Sequence, residues 1–468
     1  MAHTKTARNG DLLSGALLPK IILFSLPLMA TGILQLLFNT ADTVVVGRWG
    51  GATPEERETA LAAVGSCGAL IGVIINFFFG LSVGAGVCTA QSIGAKRYDE
   101  VEKVVHTAAI TALTLGTLVA IVGMSLARPL LAAMGTDASV LDQAAPYMCA
   151  YFAGTPANML YNYCASILRS KGDTTRPLIF LTIAGVSNVV LNLIMVLVFH
   201  MGALGVGIAT ACSHWISCIL IVIHMTRLQD ACRLDLRKLR IHRPTLTKML
   251  CIGIPAGIQG TVFSFSNVMI QSSVNSFGKA TVAANTAAAN LSDYTYMAQN
   301  SVYHAALTFV GQCVGARRYD RIRAITLTCL GTVTVVGLTF GILSTVFGEE
   351  LLAIFSPGNA EVIRIGMVRM RYMCLPYFLC GIMEVGSGVL RGLGKSFTSM
   401  AVAIAGVCGI RLVWIFTVFA AFRTLEVLYL SYIVTWVITA TAHYTFAILA
   451  VKKAQKNLRS ESVQPKIQ

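Results

Sequence analysis

The recurrence of long apolar runs between short polar segments constrains this chain more than any other feature. Twelve runs reach the roughly 20 mainly apolar residues that a lipid-spanning helix needs. They cover 21–46, 60–83, 104–125, 145–168, 178–199, 204–226, 249–275, 281–310, 322–346, 366–391, 397–420 and 425–450. Charged residues make up only 12 % of the 468, and mean hydropathy is +0.71. So few charges cannot cover a water-soluble globule of this size. The expected fold class is therefore an all-α polytopic membrane protein with twelve transmembrane helices. The first run is long, lacks a small-residue cleavage site after a short apolar core and is followed by further runs, so it is expected to be a span.

Thirty-six Lys and Arg against 21 Asp and Glu give a net charge of +15. These cations do not gather on one polar face, as a nucleic-acid binder requires, so no nucleic-acid partner is expected. Instead 27 of the 36 fall in alternate connections and the termini, eight in the opposite set, and Arg411 lies inside a span. The positive-inside rule then places both termini in the cytoplasm of a multi-pass plasma (inner) membrane protein. The 13 cysteines include no CxxC pair. Neither a metal site nor a disulfide framework is indicated, and no cofactor is expected.

The chain is internally duplicated. Gln91-Ser-Ile-Gly94-Ala95-Lys96-Arg97-Tyr98-Asp99 recurs as Gln312-Cys-Val-Gly315-Ala316-Arg317-Arg318-Tyr319-Asp320. Leu168-Arg169 with Gly172 recurs as Leu390-Arg391 with Gly394, and Pro27 with Gly50 as Pro255 with Gly278. The expected organisation is an N-terminal six-helix lobe (1–226), a basic cytoplasmic linker (227–248), a C-terminal six-helix lobe (249–451) and a cytoplasmic tail (452–468). Two halves of six spans enter from the same side, as parallel repeats about a pseudo-twofold axis along the membrane normal. Such bundles suit alternating access, and the absence of a filter-like motif argues against a channel. The Gly-Ala-Lys-Arg segments read as helix stops, with Gly at the turn and cations at the helix C-terminus.

The arrangement resembles the MATE family, the multidrug and toxic compound extrusion transporters, with a pattern similar to its DinF-like bacterial branch. Pro27-Leu28, Ala41 to Arg48, Ala90 to Ala95, Ile167 to Thr174, Ser187 to Asn192 and Ser387 to Gly394 carry the resemblance. It implies export of lipophilic, mostly cationic drugs or toxic compounds, driven by H⁺ or Na⁺ and not by ATP. Consistently, no Walker A pattern is present. It also implies amphipathic small molecules and the bilayer as partners, with a monomer expected. Two alternatives stand beside it: a lipid-linked oligosaccharide flippase of the same superfamily, and a membrane sensor or scaffold without transport.

Ionisable groups inside spans are costly and are candidate functional residues. Asp42 lies about 6 Å from the outer end of the first run at 1.5 Å per residue. Asn188 and Asn192, four apart, share a helix face in the fifth run, and Thr210 reaches a similar depth in the sixth. These four are the candidate ion-coupling residues. The resemblance implies an acid in the first helix and an Asn-x₃-Asp pair in the fifth. Asn192 departs from that pattern, which favours proton coupling at Asp42 while keeping Na⁺ there as the possible metal. In the second half Asn290, Asp293, Met297, Asn300 and His304 form a polar stripe, with Tyr296 beside it. Asp293, Glu384, Arg411, Asn300 and Tyr296 are candidates for a substrate cavity or charge network. Depth favours an Arg411–Asp293 pair, with Glu384 as the other partner.

Overall fold

The computed structural model describes residues 12–355 and 358–463. Every regular element among them is helical, as expected. The first half comprises α1 (Leu17–Trp49), α2 (Pro54–Gly94), α3 (Tyr98–Ala133), α4 (Ala138–Ala153), α5 (Thr155–Lys171), α6 (Thr175–Leu193) and α7 (Gly202–Thr226). The second comprises α8 (Arg243–Asn275), α9 (Lys279–Gly315), α10 (Ile322–Val346), α11 (Gly348–Phe355), α12 (Ala360–Arg369) and α13 (Phe378–Gly392). It continues through α14 (Ser396–Ala403), α15 (Ile410–Phe416), α16 (Val418–Ala421) and α17 (Leu425–Val463).

Ten helical stretches of the described residues are long and apolar enough to cross a membrane. The other two expected spans have specific departures. The run 281–310 falls on α9, a continuous helix of 37 residues. Its polar stripe lowers its hydropathy. The run 145–168 is not continuous: α4 ends at Gly154 and α5 begins with Pro156 in its first turn. A Cβ at Gly154 would stand 2.7 Å from the Ala211 Cα, so only glycine allows α7 that close. The chain breaks there to let α4 and α5 pack separately on α7.

Contacts divide the chain into two compact units. One holds Ala30–Thr89 and Arg97–Gly253, including the basic segment 227–248. Its core joins Val45, Val46, Leu131, Met148, Phe152 and Val206. Lys238 pairs with Glu102 at 3.1 Å, and the Asp235 backbone N–H donates to His106 Nε2 at 3.1 Å, so this segment is fastened to α3. The other unit holds the described residues of Met1–Met29, Ala90–Lys96 and Ile254–Gln468. Phe24 packs edge-on against Phe309 at 5.7 Å in its core.

The duplicated motifs have duplicated geometry. Lys96 and Arg317 both adopt a left-handed φ of 55°, just past the ends of α2 and α9. The turn is therefore made by the cations, not by the glycines as the sequence reading assigned. The glycines serve a close crossing. A Cβ at Gly94 would lie 2.0 Å from the Gln312 carbonyl oxygen, and one at Gly315 would lie 1.9 Å from that of Gln91. Gly172 (φ 100°) and Gly394 (φ 76°) close α5 and α13 in left-handed turns. The Asp173 N–H bonds the Leu168 carbonyl at 3.0 Å and the Lys395 N–H the Leu390 carbonyl at 2.8 Å, the same C-terminal cap twice.

Three segments widen into π-helix: Ile194–Val198 after α6, Met370–Cys374 after α12 and Ile404–Gly409 before α15. Such segments occur frequently at functional sites.

Candidate ion-coupling site

Within the first unit, α1, α6 and α7 bring the four expected residues together. Gly185 on α6 permits the approach of α1: a Cβ there would come 1.9 Å from the Phe38 ring. Phe38 lies one turn before Asp42, and Gly185 two turns before Asn192. Close packing at the first pair therefore delivers the second. The Asn192 amide Nδ2 donates to Asp42 Oδ1 at 2.5 Å and to Asn188 Oδ1 at 3.3 Å. Asn188 Nδ2 donates to Thr210 Oγ1 at 3.4 Å, and the Thr210 hydroxyl donates to the Val206 carbonyl at 2.9 Å.

Both asparagines are buried, Asn192 completely, while Asp42 and Thr210 are half-buried. The Asn192 side-chain oxygen has no hydrogen-bond partner among the described residues. Tyr147 and Tyr151 are within electrostatic range of Asp42. The site is thus one carboxylate reached from partly open space, held by amides and a hydroxyl, with one acceptor left over. Among the described residues no group of three His, Cys, Asp or Glu side chains assembles a metal site.

The second unit departs from expectation. The stripe on α9 is its less covered side: Asn290 and Asp293 are exposed, and Met297, Asn300 and His304 half-buried. Arg411 pairs with neither Asp293 nor Glu384 among the described residues. Its guanidinium lies 4.0 Å from the Tyr432 ring centroid, and Nη1 reaches Ser266 Oγ at 3.4 Å. Depth along a helix says nothing of the direction a side chain takes around it. The π segment at 404–409, ending two residues before Arg411, also shifts that direction from an ideal α-helix.

Among the described residues neither Asp293 nor Glu384 closes an ion pair; the arginine charge that bears on Asp293 at longer range is that of Arg369, and on Glu384 that of Arg391. Sequence reasoning counted both arginines as loop charges, yet each is only 7 % exposed. Arg391 donates to Tyr303 Oη at 2.5 Å and to Gln259 Oε1 at 2.8 Å. Arg369 donates to Asn285 Oδ1, which also accepts from the Tyr429 hydroxyl at 3.0 Å. Arg391 stands at the end of a duplicated motif. Nothing in its neighbours in sequence marks it as buried. Tyr296 packs against the aromatic cluster that contains Tyr432, and Asn300 keeps a buried oxygen without a partner among the described residues.

A helical membrane protein with two related halves and a polar cluster in its bundle interior is built as secondary transporters are. The MatE family model matches residues 27–194 and 255–417, once on each half. The chain belongs to the MATE family of multidrug efflux transporters. It is similar to "Probable multidrug resistance protein YoeA" of Bacillus subtilis, 25 % identical over 442 residues, covering 92 % of this chain and 94 % of that protein. It is also similar to "Probable multidrug resistance protein NorM" of Thermotoga maritima, 22 % identical, covering 84 % of each. An outward-facing multidrug resistance MATE transporter of the MOP superfamily superposes with a TM-score of 0.88 at 21 % identity, covering 96 % of this chain and 99 % of that one. The fold is the twelve-helix, two-lobe fold of those transporters.

Proposed function

We propose that this chain is an ion-coupled antiporter that exports lipophilic compounds by alternating access, with proton binding at Asp42 as the coupling event. The carrying observation is the Asp42–Asn192–Asn188–Thr210 network. The Asn192 N–H groups occupy Asp42 Oδ1 and Asn188 Oδ1, two of the oxygens a Na⁺ would need. A proton needs only the Asp42 carboxylate. Turning the Asn192 amide over exchanges donor for acceptor. The unpartnered Asn192 oxygen is thus available to accept from a protonated Asp42, as its N–H donates to the ionised form. Asn192 therefore reads the charge state of Asp42 and can pass it to α6.

The cargo that the family resemblance implies is mostly cationic. Three buried arginines in the second unit reopen that question.

The test is Asp42→Asn in proteoliposomes with an imposed proton gradient. Gradient-driven dye transport is expected to fall at least tenfold, with an unchanged elution profile showing a folded protein. Unchanged transport overturns the coupling role. Absence of transport by the parent chain under both H⁺ and Na⁺ gradients favours the sensor or scaffold reading.

A further inference from the structure

The second unit buries three arginines, Arg369 and Arg391 at 7 % exposure and Arg411 at 4 %. Each guanidinium lies over a tyrosine ring: 5.8 Å to Tyr429, 5.6 Å to Tyr303 and 4.0 Å to Tyr432 respectively. Each keeps a buried Nε with no partner among the described residues. Arg369 and Arg391 nevertheless have good neutral acceptors and a carboxylate within electrostatic range. Among the described residues Arg411 closes no ion pair with Asp293 or Glu384; the contacts of its guanidinium are Tyr432 and Ser266. Its one hydrogen bond among the described residues is the long 3.4 Å contact to Ser266.

A guanidinium cannot shed its proton, and a buried charge without a counter-charge is costly. The Tyr432 face offsets part of that cost, about 0.5–2 kcal/mol for a cation–π contact. The remaining demand is for an anion, and a planar fork of donors matches a carboxylate or a phosphate. The surroundings match an aromatic body on that anion. Phe263, Tyr296, Trp414 and Trp436 belong to the same apolar cluster as Tyr432. The π segment Ile404–Gly409, which ends two residues before Arg411, is a second mark of a working site.

We infer that Arg411, with Ser266 and Tyr432, forms an anion-recognising subsite that takes the carboxylate or phosphate of an amphipathic aromatic compound. This deepens the exporter reading and rests on it. The cargo then includes organic acids and zwitterions, and the arginine selects for the acidic group while the aromatic wall holds the apolar body.

The experiment measures equilibrium binding of a fluorescent naphthalene carboxylate to the purified full chain in nanodiscs of neutral phosphatidylcholine. The probe's uncharged carboxamide and a naphthylmethylammonium of the same size serve as comparisons. The carboxylate is expected to bind saturably and about tenfold more tightly than either comparison. Arg411→Gln is expected to remove that preference, and Arg411→Lys to keep part of it by retaining charge without the fork. Equal binding of acid and amide by the parent chain overturns the proposal and needs no variant to fold. So does an acid preference that survives in folded Arg411→Gln.

A second arm adds phosphatidylglycerol to the discs. Displacement of the probe assigns the subsite to a lipid headgroup, and its absence assigns the subsite to soluble acids. Binding requires no ion gradient. A chain that binds the acid through Arg411 yet exports nothing would sink the exporter reading and leave this subsite standing.

Discussion

At the scale of single residues, chemistry was more legible than partnership. Asp42, Asn188, Asn192 and Thr210 were picked out because polar groups at similar depth in apolar runs are conspicuous, and the structure joins them in one hydrogen-bonded network. Arg411 was equally conspicuous, but its partner was misread: Tyr432 and Ser266 hold it, not an acid. An aromatic face leaves no charge pattern in a sequence. Arg369 and Arg391 were missed because residues near the end of a span look the same whether they turn outwards or inwards. Asn192 offers a sharp test. Replacing it with Asp puts a second carboxylate beside the first, and two such groups share a proton or hold a cation between them. Asn192→Asp is expected to make transport respond to an imposed Na⁺ gradient. A variant still indifferent to Na⁺ would show that the missing acid does not set ion choice.

At the scale of elements, the spans were legible from apolar length and the breaks were not. The Gly154 break is dictated by Ala211 on another helix, a contact no local pattern reports. The three π segments likewise leave no signature in the apolar pattern. Each abuts a buried polar residue: Asn192 lies two residues before the first, Arg369 directly before the second and Arg411 two after the third. A widened turn redirects a side chain without ending the helix, which suits placing a polar group inside a bundle. The crossing of α2 and α9 gives a stability prediction. Gly94→Ala and Gly315→Ala each set a Cβ against backbone at 2.0 and 1.9 Å. Each is expected to cost about 1–3 kcal/mol and to lower the Tm. The double variant is expected to cost less than the sum, because the first substitution already separates the helices. Strict additivity in thermal denaturation would mean that the two glycines do not share one contact.

At the scale of the whole molecule, the duplication and the charge bias carried most of the architecture. The all-helical class and the family both follow from features spread along the chain, which is why they could be read without coordinates. Orientation is a prediction from the 27-to-8 bias of basic residues. A fluorescent protein that matures only in the cytoplasm, fused after Gln468, is expected to be bright and shielded from protease added outside intact cells. A dark fusion together with outside cleavage would invert the assignment.

The crossing of the duplicated motifs also bears on how the two copies meet. Gly94 of one copy meets Gln312 of the other, and Gly315 meets Gln91, so the contact is reciprocal position for position. That reciprocity is the mark of an isologous interface, the kind that forms between identical subunits across a dyad. Within one molecule, this crossing therefore makes the position-for-position contact that an isologous interface makes between identical subunits.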